Sequence, residues 1–494
     1  MRRFPRRKKV CAAVSPPQKE SMKNTGDDYF DSEEFHELLD EYEQAVNTGQ
    51  PVFMDAEELS EIADYYQMTG RYDEAEQAIT LALSLSPGAI APLTYRIHEA
   101  LYNGDIDQAK DFFSQITETD APDYAYNRAE ILICEGKADE ADSYLRKQLA
   151  AIPPEEHQDF VVDAAKIFSD YDYSEKAMEW LARAKHEDTP DFKELVARTL
   201  FGLGKYKDSE RLFNELIDTD PFSKRYWNAL ASAQFMNEDY SNAVKSSEFA
   251  IAIDPDDPEG IIAKANGLYH MGNYEEAFDY YRRYSLHEPD DEYALLSQAT
   301  CLINMGRNGE ALDMLTKLAE TPPDDSPYLC DIYQELAFAL SEEGRTDEAI
   351  DCLNKTETLD CDHAQVLVIK GHILLAANRE EEAGECFCQA VNDSENRPQT
   401  ILRIIVSMYD NKYIETAYNM FLQFFDMVGP DYDNGYAYMA LCCHTMKKYD
   451  EFLKYLKIAC QRNPRECQLV LGHLFPEEVD AKDYYNYIKK RMKQ

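Results

Sequence analysis

Residues 227–255 read WNALASAQFMNEDYSNAVKSSEFAIAIDP, and residues 261–289 read IIAKANGLYHMGNYEEAFDYYRRYSLHEP. Laid over one another at a spacing of 34 residues, with the turn of the first copy at Glu238 and of the second at Gly272, the two keep the same frame. Seven positions before the turn stands Ala (Ala231, Ala265), two after it Tyr (Tyr240, Tyr274), five after it Ala (Ala243, Ala277) and seventeen after it Pro (Pro255, Pro289). A fixed period of this length is the mark of a stacked repeat.

The frame extends in both directions, with turns at Gly70, Gly104, Gly136, Asp172, Gly204, Glu238, Gly272, Gly306, Gly344, Asn378, Lys412 and Lys447. The position seven before the turn departs from Ala or Gly only at Ile97 and Ile405, and the position five after departs from Ala at Ser209 and Phe452. Two small residues flanking a turn let antiparallel helices touch where they cross. A larger apolar residue nine after, such as Ile79, Leu145 or Phe387, fills the space beside them, and Pro closes the second helix.

This pattern resembles the tetratricopeptide repeat (TPR), whose signature pairs an aromatic and a small residue in the first helix with Ala in the second and a terminal Pro. Trp227, Leu230, Ala231, Tyr240, Ala243, Ala250 and Pro255 match it nearly throughout. The resemblance covers residues 55–464 and is weakest at the turns of Lys412 and Lys447, where the register could shift by one. It implies an all-α fold, an α-solenoid coiled as a right-handed superhelix of about twelve helix-turn-helix repeats. First helices would line a groove that binds a peptide, a helix or a domain.

Around the array, residues 1–30 read as a basic disordered tail, or as upstream of a true start at Met22. Residues 31–50 form a capping helix that opens with the Asp31–Glu34 capping-box spacing. Residues 465–494 form C-terminal capping helices, the last from about Glu478. Extra residues around Pro322–Pro327 and the connection from Asn392 to Pro398 are candidate bends. A solenoid of this kind needs no division into globular domains, because each repeat packs on its neighbours.

The formal charge is −44, and with the basic residues before Met22 set aside it is more negative still. Such a surface repels phosphate backbones, so nucleic acid is not an expected partner. No run of eighteen apolar residues occurs, so no membrane span is expected. The twelve cysteines lack metal-ligand spacing and suit buried, reduced thiols in a cytoplasmic protein. Gly202, Gly204 and Lys205 sit where a phosphate loop would need a different frame, the ten histidines are scattered, and the segments outside the repeats are too short for a catalytic domain. No enzyme, catalytic residue, metal or cofactor is expected.

Function then rests on the first-helix face. The row six before each turn begins acidic and polar, carries two adjacent cations, and turns mostly apolar after Thr300. With its flanking rows it predicts a bipartite partner-binding groove. Lys166, Arg198, Arg225, Asn228 and Asn266 would hold an acidic or carboxylate group, and Tyr269, Ile303, Phe338, Leu375 and Val406 would take apolar side chains. Two other readings stay open: Glu194 and Asp163 could neutralise Arg198 and Lys166 on their own helices, and the apolar stripe could be interior packing. The function expected is a protein-binding adaptor or scaffold, the alternative a self-assembling homo-oligomer whose apolar groove mediates the contact.

Overall fold

The computed structural model describes residues 27–30, 32–185, 187–320, 322, 326–429, 431–476 and 479–491. Among them the secondary structure is helical, and two compact bodies divide the chain between Pro255 and Asp256. The array that the sequence presents as one run is thus split six repeats to six.

The first body opens with α1 (Asp27–Phe30) and α2 (Glu33–Thr48). Six pairs follow: α3 (Ala56–Met68) and α4 (Tyr72–Leu85), α5 (Ile90–Tyr102) and α6 (Ile106–Phe113), α7 (Pro122–Cys134) and α8 (Ala138–Leu149), α9 (His157–Asp170) and α10 (Ser174–Leu181), α11 (Pro190–Gly202) and α12 (Tyr206–Thr219), α13 (Lys224–Met236) and α14 (Tyr240–Ile253). In the second body the pairs are α15 (Pro258–His270) and α16 (Tyr274–Tyr284), α17 (Glu292–Asn304) and α18 (Asn308–Glu320), α19 (Leu329–Glu342) and α20 (Thr346–Asn354), α21 (His363–Ala376) and α22 (Glu380–Asp393), α23 (Arg397–Asp410) and α24 (Ile414–Val428), α25 (Tyr436–Thr445) and α26 (Tyr449–Arg462). Two short helices close it, α27 (Pro464–Leu471) and α28 (Tyr484–Arg491).

Every turn residue read from the sequence has a positive φ, including the non-glycines Asp172, Glu238, Asn378, Lys412 and Lys447. Each turn is a Schellman motif: the Gly272 N–H donates to the Tyr269 carbonyl and the Asn273 N–H to the Leu268 carbonyl, both at 3.0 Å. The same two bonds recur at Lys412 and Lys447, which fixes the register of the last two repeats as read.

The small residues do what close crossing requires. Ala63, Ala129, Ala265 and Ala299 in first helices, and Ala75, Ala141, Ala277 and Ala311 in second helices, have no exposed surface. At Gly371 a Cβ would lie 2.4 Å from the Phe387 ring, the residue nine after the same turn. Where a bulky residue enters the crossing, its opposite number stays small: Ile97 faces a repeat with Ala109, Ile405 one with Ala417, and Phe452 one with Ala440, all buried. Within each body, first helices also pack on first helices, as α7 does on α9 and α21 on α23.

The capping segments differ in detail from their sequence reading. The N-cap of α2 is Ser32, whose hydroxyl accepts the Phe35 N–H at 3.1 Å, and Asp31 lies outside the described residues. The stretch read as a tail contains a short helix: α1 buries Phe30, which meets Phe35 edge-on at 4.8 Å. Residues 1–26 lie outside the described residues, as do Thr321, Pro323, Asp324 and Asp325 in the longer connection. In the Asn392–Pro398 segment α22 runs to Asp393 and α23 starts at Arg397, and the hydroxyls of Ser394 and of Thr400 on α23 are bonded at 2.7 Å. The last helix starts later than Glu478, at Tyr484, after a one-turn 3-10 helix that Asp480 caps. Glu477 and Glu478 are outside the described residues. Tyr484 stacks on Phe475 with ring centroids 3.8 Å apart.

The eleven described cysteines are free thiols, most of them buried in the helix interfaces, with Cys388 exposed. Among the described residues no helix is long and apolar enough to cross a membrane, and no cluster of His, Cys, Asp and Glu could hold a metal ion.

Candidate functional site

The first-helix residues of the two bodies form two surfaces, polar in the first body and aromatic in the second. In the first body, side chains from α5 to α13 build a ladder of charges between consecutive repeats. His98 Nε2 lies 2.8 Å from Glu130 Oε2. Burial opposes the charge on His98, but the Glu130 carboxylate, with help from Asp64 and Asp123, outweighs it and holds the imidazole pKa above its ordinary value. Tyr126 donates to Asp163 at 3.0 Å. Burial raises the Asp163 pKa against the pull of Tyr126 and Lys166.

Arg198 donates to Asp170 Oδ1 at 2.8 Å, and Arg225 pairs with Glu194. Burial raises the Asp170 pKa, although Arg198 and Lys166 both work in the other direction. Both arginines are therefore neutralised across repeats: Asp170 of the preceding repeat serves Arg198 in place of the Glu194 that the helix spacing names, and Glu194 serves Arg225 of the next repeat. In each pair the acid is the more buried member. The side chain of Asp170 is 17% exposed against 38% for Arg198, and that of Glu194 is 7% exposed against 46% for Arg225. The ladder therefore turns guanidinium N–H donors toward solvent and keeps carboxylates beneath them. Lys166 is half-buried on α9, close enough to Asp163 and Asp170 to act on both carboxyls. Asn228 is buried and is not part of the accessible surface.

In the second body, Asn266 Oδ1 accepts from Tyr281 at 2.7 Å and from Tyr293 at 2.6 Å, so its carbonyl is committed to the repeat interface. Tyr269, Ile303 and Phe338 are half-buried and reach the surface. Tyr269 meets Tyr274 edge-on at 5.5 Å, and Phe338 meets the His372 ring at 6.1 Å. Leu375 and Val406 correct the sequence reading: at 5% and 3% exposure they are interior residues. The reason is local, since packing between neighbouring repeats buries both. His372 is buried in the same interface, with Nδ1 at 3.0 Å from Ser407 Oγ, and burial lowers its pKa to about 4.

Spacing within one helix does not point to Asp170, Glu130 or His98, nor to the role of Glu194 toward Arg225. Their signal is an offset near one repeat: Asp170 to Arg198 spans 28 residues, Glu194 to Arg225 spans 31, and His98 to Glu130 spans 32.

Stacked helix pairs that share one crossing geometry and one turn define a repeat solenoid. Two tetratricopeptide repeat family models match residues 59–88 and 196–258, the latter spanning α11 to α14. The chain is a tetratricopeptide repeat protein. The family model for anaphase-promoting complex, cyclosome, subunit 3 matches residues 236–318. No curated protein matches the chain. Among solved structures it is similar to yeast Tom70, at 14% identity and a TM-score of 0.42, covering 89% of this chain and 96% of that one. It is also similar to a chain of the APC/C hetero-tetramer Cut9–Hcn1, at 15% identity and a TM-score of 0.36, covering 91% and 95%. A third, YrrB, is described as a TPR protein with an unusual peptide-binding site, and matches at 17% identity and a TM-score of 0.31 over 38% of this chain and 95% of that one.

Proposed function

We propose that this chain is a protein-binding scaffold whose first-helix surfaces hold a segment of a partner protein, with the outward guanidinium groups of Arg198 and Arg225 taking its carboxylates. The observation that carries this reading is the order of burial in the charge ladder. In a chain with a net charge of −44, these positions place acids inside and donors outside. A guanidinium already tethered by a carboxylate is fixed in orientation, which lowers the entropy cost of engaging a second carboxylate. Tyr269, Ile303 and Phe338 offer apolar contacts in the second body. The role is binding, without chemistry on the partner, and the free thiols accord with a reducing, cytoplasmic setting.

The test begins with the solution mass of the pure chain by light scattering. It continues with capture of partners by the wild type and by an Arg198→Glu, Arg225→Glu variant whose helicity is verified by circular dichroism. A monomer that loses its captured partner on charge reversal supports the scaffold. A stable dimer whose captured set is unchanged rejects the donor surface and favours the self-assembling alternative.

A further inference from the structure

Three helices meet on one pair of thiols at the end of the second body. Cys460 lies in the last turns of α26 and Cys467 near the start of α27, with their sulfurs 3.7 Å apart and both side chains buried. The corner between them is fixed by Asn463, whose side chain accepts the Glu466 N–H at 2.9 Å, and by Pro464 at the first position of α27. The pair belongs to an apolar cluster with Leu456, Leu471, Phe475 and Tyr484, and the Asp483 and Glu466 carboxyls are near enough to oppose thiolate formation. The backbone of Tyr485, at the start of α28, helps to hold the Cys460 thiol pKa below its ordinary value.

We propose that Cys460 and Cys467 form a dithiol modification site that reacts with a low-molecular-weight disulfide and, once oxidised, staples α27 to α26 beneath α28. A disulfide needs its sulfurs at about 2 Å, and two side chains already in contact across a fixed corner reach that by side-chain rotation. Cys460 is the attacking thiol. The Cys467 S–H and the Tyr485 backbone both favour its thiolate over the opposing effect of burial, whereas Cys467 is pushed upward by the bond between the two thiols.

In the first step the Cys460 thiolate attacks one sulfur of the donor RS–SR, the new S–S bond forms as the old one breaks, and RS⁻ leaves and takes up the proton Cys460 gave up. In the second, Cys467 loses its proton and attacks the Cys460 sulfur, expelling the second RS⁻, which is protonated in turn. Two protein thiols are oxidised by two electrons and the donor is reduced to two thiols. Both thiols are buried, so the donor reaches them through local opening of the terminal cap, of which α28 contributes eight residues.

The test uses the full chain treated with oxidised glutathione, alkylated, digested with trypsin without reduction, and mapped by mass spectrometry. The expected product is peptide 458–462 joined to peptide 466–482, two hydrogens lighter than their sum, absent after reduction and absent in Cys467→Ser. Amide exchange in residues 464–475 should slow about fivefold or more on oxidation, because the staple closes a short loop. Separate alkylation of both thiols, glutathione retained on Cys460, or pairing of Cys460 with any other cysteine overturns the proposal. Unchanged or faster exchange in the oxidised chain overturns the staple. The wild-type map decides the pairing even if Cys467→Ser fails to fold.

Discussion

The register of the last repeat can be tested by replacing Lys447 with glycine. Lys447 sits at φ 59 in a Schellman turn, with its N–H bonded to the His444 carbonyl and the Lys448 N–H to the Cys443 carbonyl. A side chain in this conformation crowds the following carbonyl at a cost of about 1–2 kcal/mol. Glycine removes that cost but adds up to about 1 kcal/mol of chain entropy to the unfolded state. The net gain for Lys447→Gly is then about 0.5–1 kcal/mol, or roughly a two- to fivefold slowing of amide exchange in α25 and α26. Exchange is the suitable assay because a repeat array need not unfold in one transition. Met446, one residue earlier, is right-handed and packs against the last core cluster. Met446→Gly should therefore lose about 1 kcal/mol or more. If Met446→Gly stabilised the last repeat and Lys447→Gly weakened it, the frame would be displaced by one residue and the crossing argument for this repeat would fail.

Other outcomes follow from single contacts. Gly371→Ala should destabilise the second body by about 1–3 kcal/mol in chemical denaturation, and Phe387→Leu in the same chain should recover part of it, since the new Cβ meets that ring. Arg225→Ala should cost about 1–3 kcal/mol because Glu194 is left buried without its arginine, whereas Arg307→Ala, which breaks an exposed pair with Glu310, should leave the denaturation midpoint unchanged. His372 has a folded pKa of about 4 against an ordinary 6.5, so the folded state binds fewer protons. Its contribution is present above pH 6.5 and is lost as pH falls through 6.5 toward 4. Thermal melts of His372→Asn should lack that part of the acid slope.

The fold was legible because the repeat states its geometry many times over. Turn, crossing and terminator recur at fixed offsets, so even Lys412 and Lys447, which no turn preference would select, were found by counting from Gly344. The site was less legible, and for a physical reason. A helix wheel pairs Arg198 with Glu194, four residues before it, but the stack brings each first helix against its neighbour, and the arginine reaches Asp170 instead. Exposure was hidden in the same way: Leu375 and Val406 occupy the register of a groove row, yet packing between neighbouring repeats buries both. The Cys460–Cys467 contact was invisible because it depends on how the chain turns the corner at Asn463 and Pro464, where the last repeat ends and α27 begins.

The central claim is that partners are held on first helices. The direct measurement is photo-crosslinking of a captured partner from single sites that carry a benzophenone side chain in place of Phe338 or Tyr269 on first helices, or of the exposed Leu422 on α24. The account predicts crosslinks from Phe338 and Tyr269 that fade as unlabelled wild-type chain competes, with none from Leu422. Crosslinks from Leu422 alone would place the partner on the second helices and contradict it.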